Sequence, residues 1–125
     1  MNGFVTNIEQ DTIANEDFRR VLFTGPNTQL VLMTLRSGED IGLETHEDHD
    51  QFIRVETGSG VVRLDGEERE LGDGSAVVIP AGVEHNIVNT SSGELLRLYT
   101  LYSPPEHPGG TVHHTKREAA AAENG

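Results

Sequence analysis

The sequence predicts a single all-β domain, a barrel or a sandwich. Short apolar runs of strand length recur roughly every 8–12 residues. Clusters of Gly, Pro and Asp separate them, and the runs do not alternate with helical patterns as an α/β protein requires. The length of 125 residues fits one domain with a modest core.

Taken in order, the first 25 residues are mixed. Asn15-Glu16-Asp17 suits the cap of a short turn, and Val21-Leu22-Phe23 reads as an edge strand. Gly25-Pro26-Asn27 is a turn signal, and the dense apolar run Gln29 to Leu35 fits a central strand. Ser37 to Asp40 turns the chain. Gln51 to Thr57 is the next strand, broken by Gly58-Ser59-Gly60. Val61 to Leu64 and Glu67 to Leu71 flank Asp65-Gly66, the dipeptide favoured in two-residue hairpins. Ala76 to Ile79 ends at Pro80-Ala81-Gly82, and His85 to Asn89 and Leu95 to Tyr102 complete the series. Ser103 to Gly110 is too rich in Pro and Gly for helix or central strand, so it is an extended segment over the barrel surface. Lys116 to Ala122 favours helix, with frayed residues after it.

Composition narrows the function classes. The net charge is −12, which repels phosphate backbones and anionic lipid, so neither nucleic acid nor membrane is an expected partner. Lys116 is the only lysine, a pattern compatible with high-salt adaptation as well as with an ordinary acidic protein. There is no cysteine, which excludes disulfides and thiolate ligands. No signal peptide or membrane-spanning run is evident, so a soluble cytoplasmic protein is expected. Hydrophobic residues make up 34% of the chain, a small core that a subunit interface would supplement.

The chemistry concentrates in two stretches. Glu44 and His46 are two apart, and on a strand such residues share a face. Gln51 returns on the following strand past an acidic turn. His85 follows the rigid Pro80-Ala81-Gly82 turn. The four make a pocket lined by a carboxylate, two imidazoles and an amide. His49, in the acidic turn, reads as a solvated loop residue, with a substitute ligand or acid–base role as the alternative. Glu47, Asp48 and Asp50 read as a solvated turn. His107, His113 and His114 in the tail read as surface or interface residues; the alternative is a tail folded over the pocket mouth to supply a general acid or base. Tyr99 or Tyr102 can reach the pocket, and parity does not choose between them. An interior-facing arginine among Arg36, Arg54, Arg63 and Arg97 would favour an anionic substrate.

These residues carry a resemblance to the cupin superfamily. Its first motif is usually written G-x5-H-x-H-x3-4-E-x6-G, and Gly38, Glu44, His46, Gln51 and Gly58 stand at those positions with the spacing intact. The second, G-x5-P-x-G-x2-H-x3-N, is matched throughout by Gly74, Pro80, Gly82, His85 and Asn89. The resemblance implies a double-stranded β-helix, or jelly-roll barrel. Residues 1–125 would form one cupin domain, with a barrel core at about 29–105 and a tail over 106–125. It also implies one divalent metal ion on Glu44, His46, Gln51 and His85, zinc first, with iron, manganese or nickel as alternatives. Two positions depart from the motif, since Glu44 replaces a histidine and Gln51 a glutamate. Together the two changes keep the single negative charge of the usual set, whereas Gln51 alone would leave it neutral and poor at holding a dication. The same kinds of donor occur in the zinc site of type I mannose-6-phosphate isomerases, which are also cupins.

The expected function is a metal-dependent isomerase, epimerase or lyase acting on a small polar compound such as a sugar or sugar phosphate. A non-haem iron dioxygenase and a non-enzymatic metabolite-binding or sensor module are the alternatives. A small-molecule ligand and a homodimer are the expected partners, the dimer by family resemblance. Asn89 is expected to be structural.

Overall fold

The computed structural model describes residues 3–124, with side chains as far as Ala122. Its order is α1 (Ile8–Ala14), β1 (Arg19–Thr24), β2 (Gln29–Leu35), β3 (Asp50–Thr57), β4 (Gly60–Leu64), β5 (Glu67–Leu71), β6 (Ala76–Ile79), β7 (His85–Val88), β8 (Leu96–Ser103), β9 (Val112–His113) and α2 (Lys116–Asn124). The strands form a six-stranded sheet, β6-β3-β8-β2-β1-β9, and a three-stranded sheet, β5-β4-β7. All named pairings are antiparallel.

Local chemistry sets most boundaries. Asp65 and Gly66 both have positive φ, 49° and 84°, as the mirror-image turn between β4 and β5 requires. Gly58 ends β3 at φ 108°, and a Cβ there would lie 2.5 Å from the Leu95 carbonyl oxygen. The N-terminal helix is a correction to the mixed reading of that region. Asn7 caps it by accepting a hydrogen bond from the Gln10 amide, and Asn15 is its C-cap. Val21 to Phe23 lie in β1, which is second from the sheet edge because β9 pairs with Arg19 and Arg20. Helix α2 continues to Asn124, past the expected end at Ala122. Of the terminal residues expected to fray, Gly125 lies outside the described residues. No helix among the described residues is long and apolar enough to cross a membrane.

The core lies between the sheets. Val31, Met33, Leu35, Ile53, Val55, Ile87, Leu96 and Leu98 are fully or almost fully buried. Along β8 every second residue is buried, Leu96, Leu98, Thr100 and Tyr102. That inner row runs from apolar to polar. Tyr102 pairs with Gln29 on one side and Gln51 on the other, so three adjacent strands present buried polar side chains at one end of the barrel. A buried polar row needs partners.

Candidate metal centre

The strand parity argument for Glu44 and His46 needs correcting. Residues 41–49 form no strand; Glu44 makes an isolated bridge to His85, with backbone hydrogen bonds of 2.9 and 2.8 Å. This bridge sets Glu44 beside the second-motif histidine. The Pro80-Ala81-Gly82 turn holds the next part of the segment, since the Gly82 amide donates to the His46 carbonyl at 2.9 Å. Backbone bonds between separate segments thus bring Glu44 and His46 beside the second motif.

His46 Nε2 lies 3.5 Å from Glu44 Oε2, and the His46 and His85 ring centroids are 5.3 Å apart. His85 is buried, with Nδ1 2.9 Å from the Val83 carbonyl oxygen. A carbonyl only accepts, so Nδ1 carries the proton and Nε2 keeps the lone pair. Gln51 is 3% exposed; its amide nitrogen donates to Thr100 Oγ1 at 3.0 Å. Gln51 Oε1 and His46 Nε2 are buried without a hydrogen-bond partner. The Gln51 oxygen offers a lone pair, as does His46 Nε2 in the tautomer protonated on Nδ1, and burial of such atoms without a partner is costly. With Glu44 and His85 these are the residue types that hold a divalent ion, although Glu44, His46 and His85 do not bring their ligand atoms within 4.8 Å of one another, as His46, His49 and Glu106 do.

Tyr102 is the pocket's aromatic residue. It is 1% exposed, with ring centroids 5.9 Å from His46 and 5.2 Å from His107. Burial, then the Glu44 charge, pushes its phenol well above the usual range. Tyr99 lies instead on the other face of β8, tilted against Phe52.

Three contributors are absent from the motifs. His49 is a solvated turn residue only in sequence; its side chain is 12% exposed. Its Nδ1 is 2.6 Å from Asp48 Oδ1, and its Nε2 is 3.0 Å from the Pro105 carbonyl. Burial pulls its pKa down, but the Pro105 and Asp48 bonds and the Glu106 charge outweigh this and raise it. Glu106 Oε2 is 3.2 Å from His46 Nδ1 and 3.4 Å from His49 Nε2. His46, His49 and Glu106 bring ligand atoms within 4.8 Å of one another, a metal-compatible cluster on the opposite edge of the His46 ring from Glu44. His107 corrects the surface reading of the tail histidines, because burial, then the Arg19 charge, depresses its pKa to about 3. The other two behave differently. His113 Nδ1 is 3.4 Å from Arg19, and the largely exposed His114 ring meets Asp17 at 2.6 Å.

Of the four arginines considered, Arg54, Arg63 and Arg97 pair with Glu56, Glu68 and Glu16, and Arg36 is exposed. The cation whose field reaches His107 and Tyr102 is Arg19, 2% exposed at the start of β1. A cavity of about 410 Å³ between α1 and the outer face of β1–β2 includes Asp17 and Arg20 and none of the motif residues. Asn89 is fully buried, and its amide donates to the Leu35 and Glu94 carbonyls, a structural role.

Comparison with known proteins agrees with this architecture. A family model described as a cupin domain matches residues 31–102. The chain is 48% identical over 127 aligned residues to the uncharacterized protein YrkC of Bacillus subtilis (strain 168), covering 97% of this chain and 68% of that protein. The crystal structure of BH2720 from Bacillus halodurans superposes with a TM-score of 0.91 at 48% identity, over 94% of this chain and 93% of the other. KdgF from Halomonas sp. superposes with a TM-score of 0.65 at 30% identity, over 70% and 78% of the two chains. With both motifs and the inner strands inside the matched region, the chain belongs to the cupin family.

Proposed function

We propose that this chain is a metal-dependent cupin enzyme acting on a small polar, oxygen-rich molecule, with Glu44, His46, Gln51 and His85 holding one divalent ion. The observation that carries the reading is the pair of buried atoms without a hydrogen-bond partner, His46 Nε2, which faces Glu44 at 3.5 Å, and Gln51 Oε1, together with the bridge that joins Glu44 to His85. Zinc suits the donors best, with iron, manganese or nickel as alternatives. Such an ion would supply Lewis-acid polarisation of a substrate carbonyl or hydroxyl, as isomerase, epimerase or lyase chemistry needs. The chain's own groups do the rest. Tyr102 and His107 face each other edge to plane and offer neutral hydrogen-bonding groups to a polar ligand. The segment 105–107 is docked against His49 and Gln29 beside these groups. The donor types are those of type I mannose-6-phosphate isomerases, so sugars and sugar phosphates are among the small polar compounds to be tested.

A dioxygenase uses the same two imidazoles and one carboxylate, so it is the second reading. Elemental analysis of protein purified without a metal-binding tag tests both, alongside Glu44→Ala, His46→Ala and His85→Ala. One equivalent of metal in the parent, lost in the variants, is the expected result. Oxygen uptake by the iron-loaded protein would select the dioxygenase. Absence of metal, with none taken up from excess, would refute both and leave a metabolite-binding module.

A further inference from the structure

A carboxylate faces each edge of the His46 ring, at 3.5 Å on the Nε2 side and 3.2 Å on the Nδ1 side. Nε2 faces Glu44 in the interior, buried and without a hydrogen-bond partner. Nδ1 faces Glu106 Oε2 at 3.2 Å. Distance alone allows a metal among His46, His49 and Glu106, but the hydrogen bonding of His49 opposes it. Its Nδ1 meets the Asp48 carboxylate, and its Nε2 meets the Pro105 carbonyl. Both partners only accept, so both nitrogens are placed to donate, and a ligand must instead offer a lone pair. His85 shows the complementary pattern, with Nδ1 tied to the Val83 carbonyl and Nε2 left over. If Glu106 does for His46 what the Val83 carbonyl does for His85, both imidazoles present Nε2.

Glu106 is also held in place from the barrel. Gln29 is fully buried; its side-chain oxygen accepts from the Glu106 and His107 amides at 3.2 and 3.0 Å. Its amide nitrogen donates to the His107 carbonyl at 2.7 Å. The first residue of β2 thus clamps the backbone that carries the carboxylate, and His49 holds it from the other side at 3.4 Å.

We propose that Glu106 is the positioning residue of the metal site: its carboxylate accepts the His46 Nδ1 proton and fixes the ring in the tautomer that presents Nε2 to the interior, so that the C-terminal segment completes a site whose ligands all lie in the barrel. This rests on the reading that the barrel holds a divalent ion. Carboxylate partners of metal-bound histidines orient the ring and raise its basicity, and their loss weakens metal binding by about 10–100-fold.

The experiment compares the parent with Glu106→Ala and Glu106→Gln. Zn²⁺ affinity is measured by competition with a chromophoric chelator, and the visible spectrum is recorded with Co²⁺. The His46 tautomer is read from ring ¹⁵N shifts in the metal-free protein. We expect Glu106→Ala to weaken Zn²⁺ binding by about 10–100-fold. Glu106→Gln, which keeps a neutral acceptor, falls between the two. The Co²⁺ band pattern should be unchanged, because the ligands remain. Metal-free parent should carry the His46 proton on Nδ1, and Glu106→Ala should lose that preference. Unchanged affinity overturns the proposal, and so does a Co²⁺ spectrum altered in band pattern, which would make Glu106 a ligand. Should the parent bind no Zn²⁺, the metal reading falls separately. The tautomer then decides alone: a proton on Nε2 in the parent, or on Nδ1 in both proteins, overturns the role of Glu106.

Discussion

Replacing Gln29 with Leu removes the clamp on the C-terminal segment while nearly conserving volume. Gln29 is 0% exposed, so its bonds are not diluted by water. Three of them reach the backbone of residues 106 and 107, at 2.7, 3.0 and 3.2 Å. At about 1 kcal/mol net per bond, the clamp contributes ~3 kcal/mol to docking of that segment. The barrel does not depend on it, because β2 keeps its full ladders to β1 and β8. The loss therefore appears as local opening. Hydrogen exchange at the Glu106 and His107 amides should accelerate by about two orders of magnitude, since each 1.4 kcal/mol is roughly tenfold. Exchange in the centre of β8 should change far less. Rates at 106 and 107 that stay within about threefold of the parent would refute the clamp. A uniform acceleration across β2 and β8 would show instead that Gln29 holds the barrel itself.

Two other perturbations test the fold and the tail. A Cβ on Gly60 would lie 2.3 Å from the Val88 carbonyl oxygen, a backbone atom that cannot move without breaking the β4–β7 ladder; Gly60→Ala should destabilise by ~3 kcal/mol or more in chemical denaturation, and an unchanged midpoint would contradict the packing described. The Asp17 bond and charge raise the His114 pKa, whereas burial pushes Asp17 up and the His114 and Arg20 bonds outweigh it, lowering Asp17. The pair's contribution is therefore complete below the ordinary histidine value, and it fades as pH rises through the raised His114 value. On the acid side it fades as pH falls through the lowered Asp17 value. Tail amide exchange should thus accelerate as pH rises above the ordinary histidine value in the parent, beyond the intrinsic pH effect, and His114→Asn should abolish that excess.

The barrel is legible where local chemistry decides. The expected bounds of β2, β5 and β6 coincide with the observed strands because Gly, Pro and Asp pairs end each run. Strand β5, EEREL, is almost wholly exposed and poor in strand formers, yet Asp65-Gly66 and Gly72 bracket it. The N-terminal helix is missed for lack of length, although Asn7 with Gln10 three residues later is a capping signal. The tail is hard to read for another reason. Nothing within Ser103 to Gly110 indicates that a buried amide 77 residues away binds its backbone. Arg19 is similarly opaque, since an arginine at a strand start reads as surface until its burial is known.

The departures at positions 44 and 51 gain meaning once the tail is included. Charge alone makes the exchange of histidine for Glu44 and of glutamate for Gln51 a neutral swap. The geometry adds a second carboxylate, Glu106, at the far edge of His46, so two carboxylates bracket a single imidazole. Had position 51 kept its glutamate, a third buried or half-buried carboxylate would share that end of the barrel, and like charges at such range resist joint ionisation. An amide at 51 avoids this and still offers an oxygen lone pair, while its nitrogen is satisfied by Thr100. On the proposed reading, an amide at 51 goes with the presence of Glu106 beside His46. Gln51→Glu tests this directly: if the argument holds, the new carboxyl has a raised pKa, and Glu106→Gln in the same protein lowers it again. A carboxyl at 51 that ionises normally with Glu106 present would show that the two positions are not electrostatically linked.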